Sequence, residues 1–115
     1  TEVRNKFMSD VIATFTDQNF EAEALGSKVP VLLDFWAEWC QPCLAMVPDL
    51  ESVATQFQGR LKVGKVNVEE NEHVPFNYNV TAMPTLILLK GGQVVEQRVG
   101  KLSREALTKL VEPHL

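Results

Sequence analysis

At 115 residues the chain has room for one compact core and not for a second autonomous one. Hydrophobic residues make up 45% and charged residues 23%, ordinary for a globular domain that buries its core without disulfide or metal staples. The net charge is −4 and the basic residues are scattered from Arg4 to Lys109, which argues against nucleic acid or an anionic membrane as the main partner; the longest apolar runs, such as residues 29–35, fall far short of a membrane span.

Residues 1–8 open on Thr1 and read as an N-terminal extension or a remnant of processing or expression, with Met8 available as an internal start. They show neither an h-region nor a secretory cleavage pattern, so the expected setting is a reducing compartment: the cytoplasm, or an organelle after removal of a transit peptide. The domain itself is expected over residues 9–115.

Residues 11–15 alternate weakly and predict a short strand. Thr16 is the N-cap of a predicted helix over residues 17–25, which Gly26 ends. After Pro30, the nearly unbroken apolar run 31–36 predicts a central strand covered on both faces. Residues 42–57 carry Met46, Leu50, Val53 and Phe57 in one stripe, widened by Val47 and Ala54, which predicts a long helix. Pro42 falls in its first turn, Pro48 predicts an interior kink, and Gly59 a stop.

Residues 61–68 predict another strand and 73–78 a short helix. Residues 85–90 and 93–99 predict an antiparallel hairpin turning at Gly91-Gly92 and broken off by Gly100. Ser103 caps a last helix bearing Leu107, Leu110 and Val111. The order β-α-β-α-β-α-β-β-α calls for an α/β fold, a mixed sheet with helices on both faces.

The chemistry lies in Cys40-Gln41-Pro42-Cys43, where a buried strand meets a helix N-terminus. The spacing puts the two sulfurs within reach of each other. The unpaired N–H groups and dipole of the helix start favour thiolate over thiol, and thiolate is the attacking species in disulfide exchange. Two other readings stay open. One is a zinc half-site, for which His73 and His114 are the only histidines and no second C-x-x-C exists. The other is a pair of inert core cysteines.

With its flanks, Asp34-Phe35-Trp36-Ala37-Glu38-Trp39-Cys40-Gln41-Pro42-Cys43 resembles the active-site signature of the thioredoxin family with one substitution. Lys65-Val66-Asn67-Val68, Met83-Pro84-Thr85 and Gly91-Gly92 follow in the family's order and spacing, so the resemblance runs from about residue 9 to the C-terminus. It implies the thioredoxin fold, a central mixed five-stranded sheet flanked by four α-helices. It also implies a protein-disulfide reductase and electron carrier contributing to cell redox homeostasis, with a redox-active Cys40–Cys43 disulfide and no tightly bound cofactor or metal. The implied partners are a thioredoxin reductase, which passes on electrons from NADPH, and disulfide-containing target proteins, with the protein itself a monomer.

By the same resemblance Cys40 is the nucleophile and Cys43 the resolving thiol. Asp34 matches the family's buried carboxylate and Lys65 the lysine beside it. The residues support part of this on their own. An acid between Leu33 and Phe35 in a central strand has little access to water, and desolvation raises its pKa toward the range that suits a proton shuttle for Cys43. A purely structural buried ion pair is the alternative for Asp34 and Lys65. Pro84 matches the family's cis-proline, the alternative being a trans proline at a strand start. Trp39, Gln41, Pro42, Met83, Pro84, Val99 and Gly100 match the surface where substrate chains dock, although Trp and Met more often fill cores.

Three positions depart from the pattern: Gln41 replaces a common glycine, and Leu44 and Thr81 replace common basic residues. The rival functions are a thioredoxin-fold binding module or chaperone-like subunit with an incidental dithiol, and an oxidase or isomerase of an export compartment. The latter usually carries a histidine inside the motif, where Gln41-Pro42 stands here.

Overall fold

The structure is a computed structural model that describes residues 11–115; the extension at 1–8 and the domain start at residue 9 lie outside the described residues. Five strands, β1 (Ala13–Thr14), β2 (Val31–Trp36), β3 (Lys62–Asn67), β4 (Thr85–Lys90) and β5 (Gln93–Val99), form one sheet in the order β1-β3-β2-β4-β5. β3 runs parallel to β1 and β2, and β4 runs antiparallel to β2 and β5. Having partners on both edges and helices over both faces, β2 needs side chains that tolerate complete burial, and Val31 to Phe35 are all buried.

Alternation along the strands divides the core into two layers. Leu32, Val63, Leu86 and Leu88 pack on one face against Met46, Leu50, Val53, Leu107 and Val111. Leu33, Phe35, Val66, Ile87 and Leu89 pack on the other against Phe15, Phe20, Ala24 and Val74. Gly64 belongs to this second layer, and the Phe15 ring lies where its Cβ would be, so any side chain there would displace a fully buried aromatic. At the β4–β5 hairpin both Gly91 (φ 59°) and Gly92 (φ 77°) occupy the left-handed region that a tight two-residue hairpin demands.

The helices are α1 (Gln41–Ala45), α2 (Val47–Gln56), α3 (His73–Asn77) and α4 (Arg104–Val111), with a π-helical segment at Glu21–Leu25 and a short 3-10 turn at Glu112–His114. The fold is the expected one: α1 and α2 form one kinked helix, and the π-helical segment takes the place of the first helix. Ser103 caps α4 as the sequence predicts, its Oγ accepting the Ala106 N–H at 3.1 Å.

Three elements differ in detail from the sequence-based expectation. The strand predicted at 11–15 pairs only at Ala13–Thr14, although Phe15 N–H still donates to the Lys65 carbonyl at 2.9 Å. In place of a regular helix over 17–25, Thr16 and Asn19 first close a turn by exchanging bonds: Thr16 Oγ1 accepts the Asn19 N–H at 3.1 Å, and Asn19 Oδ1 the Thr16 N–H at 2.8 Å. The chain then widens, with Gly26 N–H reaching back five residues to the Glu21 carbonyl. The long helix breaks at Met46 (φ −84°, ψ −12°). Pro48 has no N–H to offer the Leu44 carbonyl, so the discontinuity falls just before it.

Candidate active site

Strand β2 ends at Trp36, and four residues later Cys40 caps α1 from an extended conformation (φ −89°, ψ 101°). Cys40 and Cys43 are joined as a disulfide with their Cα atoms 5.3 Å apart. Pro42 sits in the first turn, where its missing N–H costs nothing. The backbone N–H of Cys43 donates to Cys40 Sγ at 3.2 Å, so a helix-start donor, the kind of group that favours thiolate over thiol, is aimed at the Cys40 sulfur. Both sulfurs are spent on one bond, and among the described residues no group of three or more His, Cys, Asp or Glu stands together as a metal site.

Ala37, Cys40 and Cys43 form a small buried cluster against which Trp36, Val68 and Met83 pack. Met83 belongs to the loop before β4, and the Met83–Pro84 bond is cis. Pro84 is buried and its carbonyl accepts the Gly100 N–H at 2.8 Å, which draws the end of β5 to the same place. Around this centre Trp39 is 62% and Val99 65% exposed, large apolar surfaces left to solvent at the rim. Gln41, Pro42, Leu44 and Thr81 are exposed as well, while Met83 and Gly100 are half-buried.

Asp34 is fully buried on the face of β2 that the kinked helix covers, flanked by Leu32 on its own strand and opposite Leu86 of β4. Among the described residues, neither carboxylate oxygen has a hydrogen-bond partner. Desolvation pushes its pKa up from 3.8 to about 7, and the positive charge of Lys65 only partly opposes this. Lys65 stands beside Asp34 in register on β3, but its ammonium lies 4.3 Å from the centre of the Trp36 ring. The buried ion pair weighed from the sequence is therefore absent: Lys65 biases Asp34 through space and leaves it unpaired.

Two polar arrangements were not legible in the sequence. The Trp39 indole N–H donates to Glu69 Oε2 at 3.1 Å, across 30 positions. Asp17 accepts the backbone N–H groups of Glu72, His73 and Val74 at 3.0, 3.1 and 3.0 Å, capping α3 from a distant loop. Desolvation raises the Asp17 pKa, but these donors and the neighbouring His73 outweigh it and hold the carboxyl below its ordinary value. A paired Thr-x-x-Asn turn beside an acid was the available hint for Asp17. Nothing local marks Glu69 as the partner of Trp39.

Against known proteins, the thioredoxin family model matches residues 11–113. The chain is 45% identical over 103 residues to "Thioredoxin 1" of Nostoc sp., covering 90% of this chain and 96% of that protein. It is 44% identical over 108 residues to "Thioredoxin" of Acidithiobacillus ferridurans and to "Thioredoxin" of Pseudomonas aeruginosa, in each case covering 94% of this chain and 100% of the relative.

Proposed function

Since the chain belongs to the thioredoxin family, whose members are disulfide oxidoreductases working through such a cysteine pair, we propose a division of labour around its Cys40–Cys43 couple in which Cys40 attacks, Cys43 resolves and Asp34 moves the proton. The observation that carries this is the Cys43 N–H directed at Cys40 Sγ, with an unpaired buried carboxylate on the strand beneath the same helix.

In the reduced protein the Cys40 thiolate, stabilised by that N–H and the helix start, attacks one sulfur of a target disulfide. A Cys40–target bond forms, and the other target sulfur leaves as a thiolate and takes up a proton. Asp34, with a pKa of about 7, then accepts the proton of Cys43. The Cys43 thiolate attacks Cys40 Sγ, the Cys40–Cys43 disulfide closes, and the second target thiolate departs, taking up the proton that Asp34 holds, directly or through water. Two electrons have passed from the dithiol to the target; one of the two protons the target gains is that of Cys43 and the other comes from solvent.

Lys65 tunes Asp34 electrostatically. Trp39, Gln41, Pro42, Met83, Pro84, Val99 and Gly100 form the docking surface for a target chain. A thioredoxin reductase restores the dithiol with electrons from NADPH, so a reducing compartment such as the cytoplasm is the natural setting. No helix among the described residues is long and apolar enough to cross a membrane.

The division of labour is tested by trapping. Cys43→Ser accumulates mixed disulfides with target proteins and Cys40→Ser forms few, because only the first variant keeps the attacking thiol while losing the resolving one. Alkylation of the reduced protein at mildly acidic pH labels Cys40 first; preferential labelling of Cys43 would reverse the assignment.

A further inference from the structure

The disulfide chemistry uses Cys40, Cys43 and Asp34, which leaves the Trp39–Glu69 bond without a role. Trp39 directly precedes the nucleophile and leaves most of its surface to solvent, so a target must meet it. A free indole at such a rim would sample several rotamers and lose that freedom on docking. Here it is held by a carboxylate 3.1 Å from its N–H.

The loop carrying that carboxylate is itself fixed. Glu69 N–H donates to Asn67 Oδ1 at 2.9 Å, and Asn67 pairs with Trp36 at the end of β3. The buried Asn71 donates through Nδ2 to the Asn67 carbonyl at 3.1 Å, and its Oδ1 accepts the Asp17 N–H at 2.9 Å. The Asp17 carboxylate takes the next three N–H groups, those of Glu72, His73 and Val74. A continuous chain of bonds thus runs from the loop after β1 to the tryptophan beside the dithiol.

We propose that Glu69 is a positioning residue for target recognition: it holds the Trp39 indole in the docking surface, and Asp17 acts through it by anchoring the connection from β3 to the start of α3. This inference rests on the disulfide-exchange reading. It assigns these two residues to the affinity for a folded protein target and not to the chemistry at sulfur.

The test is single-turnover reduction by the pre-reduced protein, with insulin as the protein disulfide and oxidised glutathione as the small one. Glu69→Ala raises the half-saturating insulin concentration about threefold or more, the consequence of losing one hydrogen bond that orders the surface. It leaves the limiting rate and the glutathione reaction unchanged. Glu69→Gln, which keeps an acceptor oxygen, restores most of the insulin affinity. In NMR spectra the Trp39 indole N–H exchanges faster with solvent in Glu69→Ala, with the Trp36 indole as reference. Asp17→Ala raises the half-saturating concentration in the wild-type background and has little further effect in the Glu69→Ala background. Asp17→Asn, with one acceptor oxygen in place of two, gives a smaller rise and serves if the alanine variant does not fold.

Unchanged insulin affinity in folded Glu69→Ala, an equal loss toward glutathione, or additive effects of the two positions would each overturn the inference. Failure of the wild-type protein to reduce either disulfide would instead refute the reading of the site itself.

Discussion

Replacing Asp34 by Asn removes an ionisable group from a place in the core where desolvation opposes ionisation more strongly than the charge of Lys65 favours it. Asp34 is fully buried, its oxygens are unpaired, and its pKa is pushed up from 3.8 to about 7. A raised pKa means that the native state holds the proton more tightly than the unfolded chain does. The stability contributed by the protonated acid is thus fully present below 3.8 and is lost as pH rises through about 7. Asn has the shape of the protonated acid at every pH, so Asp34→Asn isolates that loss. Linkage between the two pKa values gives an advantage to Asn of under about 1 kcal/mol at about pH 4, about 3 kcal/mol at about pH 6 and about 4 kcal/mol at about pH 8. The assay is guanidinium unfolding of both proteins in the oxidised state, where neither cysteine titrates. A stability difference that stays flat with pH, or an Asn variant less stable than the wild type at the alkaline end, would refute the reasoning. Either result would require a partner for the carboxylate that the fold does not show.

Further outcomes follow from the same geometry. Asp34→Asn slows release of the mixed disulfide in stopped-flow measurements, because Cys43 loses its proton acceptor; rates equal to wild type from mildly acidic to mildly alkaline pH would remove Asp34 from the chemistry. Gln41→Gly shifts the reduction potential by less than roughly 30 mV in a glutathione redox buffer, since Gln41 is uncharged and its helix preference acts in both redox states. Gly64→Ala destabilises the fold by about 1–3 kcal/mol in chemical unfolding, because the new methyl group overlaps the buried Phe15 ring. A neutral Gly64→Ala would mean that the ring has room to move.

What could be read without the structure depended on how local its cause was. β4 and β5 lie on either side of Gly91-Gly92, where a two-residue turn at the glycines puts them, and the Ser103 cap of α4 is likewise a short-range device. The kink before Pro48 follows from one missing N–H, a property of that residue alone. The π-helical segment at Glu21–Leu25 was hidden, since the pattern of apolar positions does not distinguish a five-residue reach from a four-residue one. At the site, the dithiol and the burial of Asp34 could be argued from immediate neighbours. The position of the Lys65 ammonium could not, because an aromatic face and a carboxylate compete for it and only the packed geometry decides. The bonds of Asp17 to residues 72–74 and of Trp39 to Glu69 span 55–57 and 30 positions, and nothing at either end announces the other.

The central claim is that the Cys40–Cys43 couple passes electrons to disulfides of other proteins, and reductase-coupled turnover tests it most directly. With NADPH, a thioredoxin reductase and insulin as the disulfide substrate, the account predicts sustained NADPH oxidation that is abolished in Cys40→Ser. Turnover by the wild-type protein no faster than the reductase alone, or turnover that survives loss of Cys40, would contradict it.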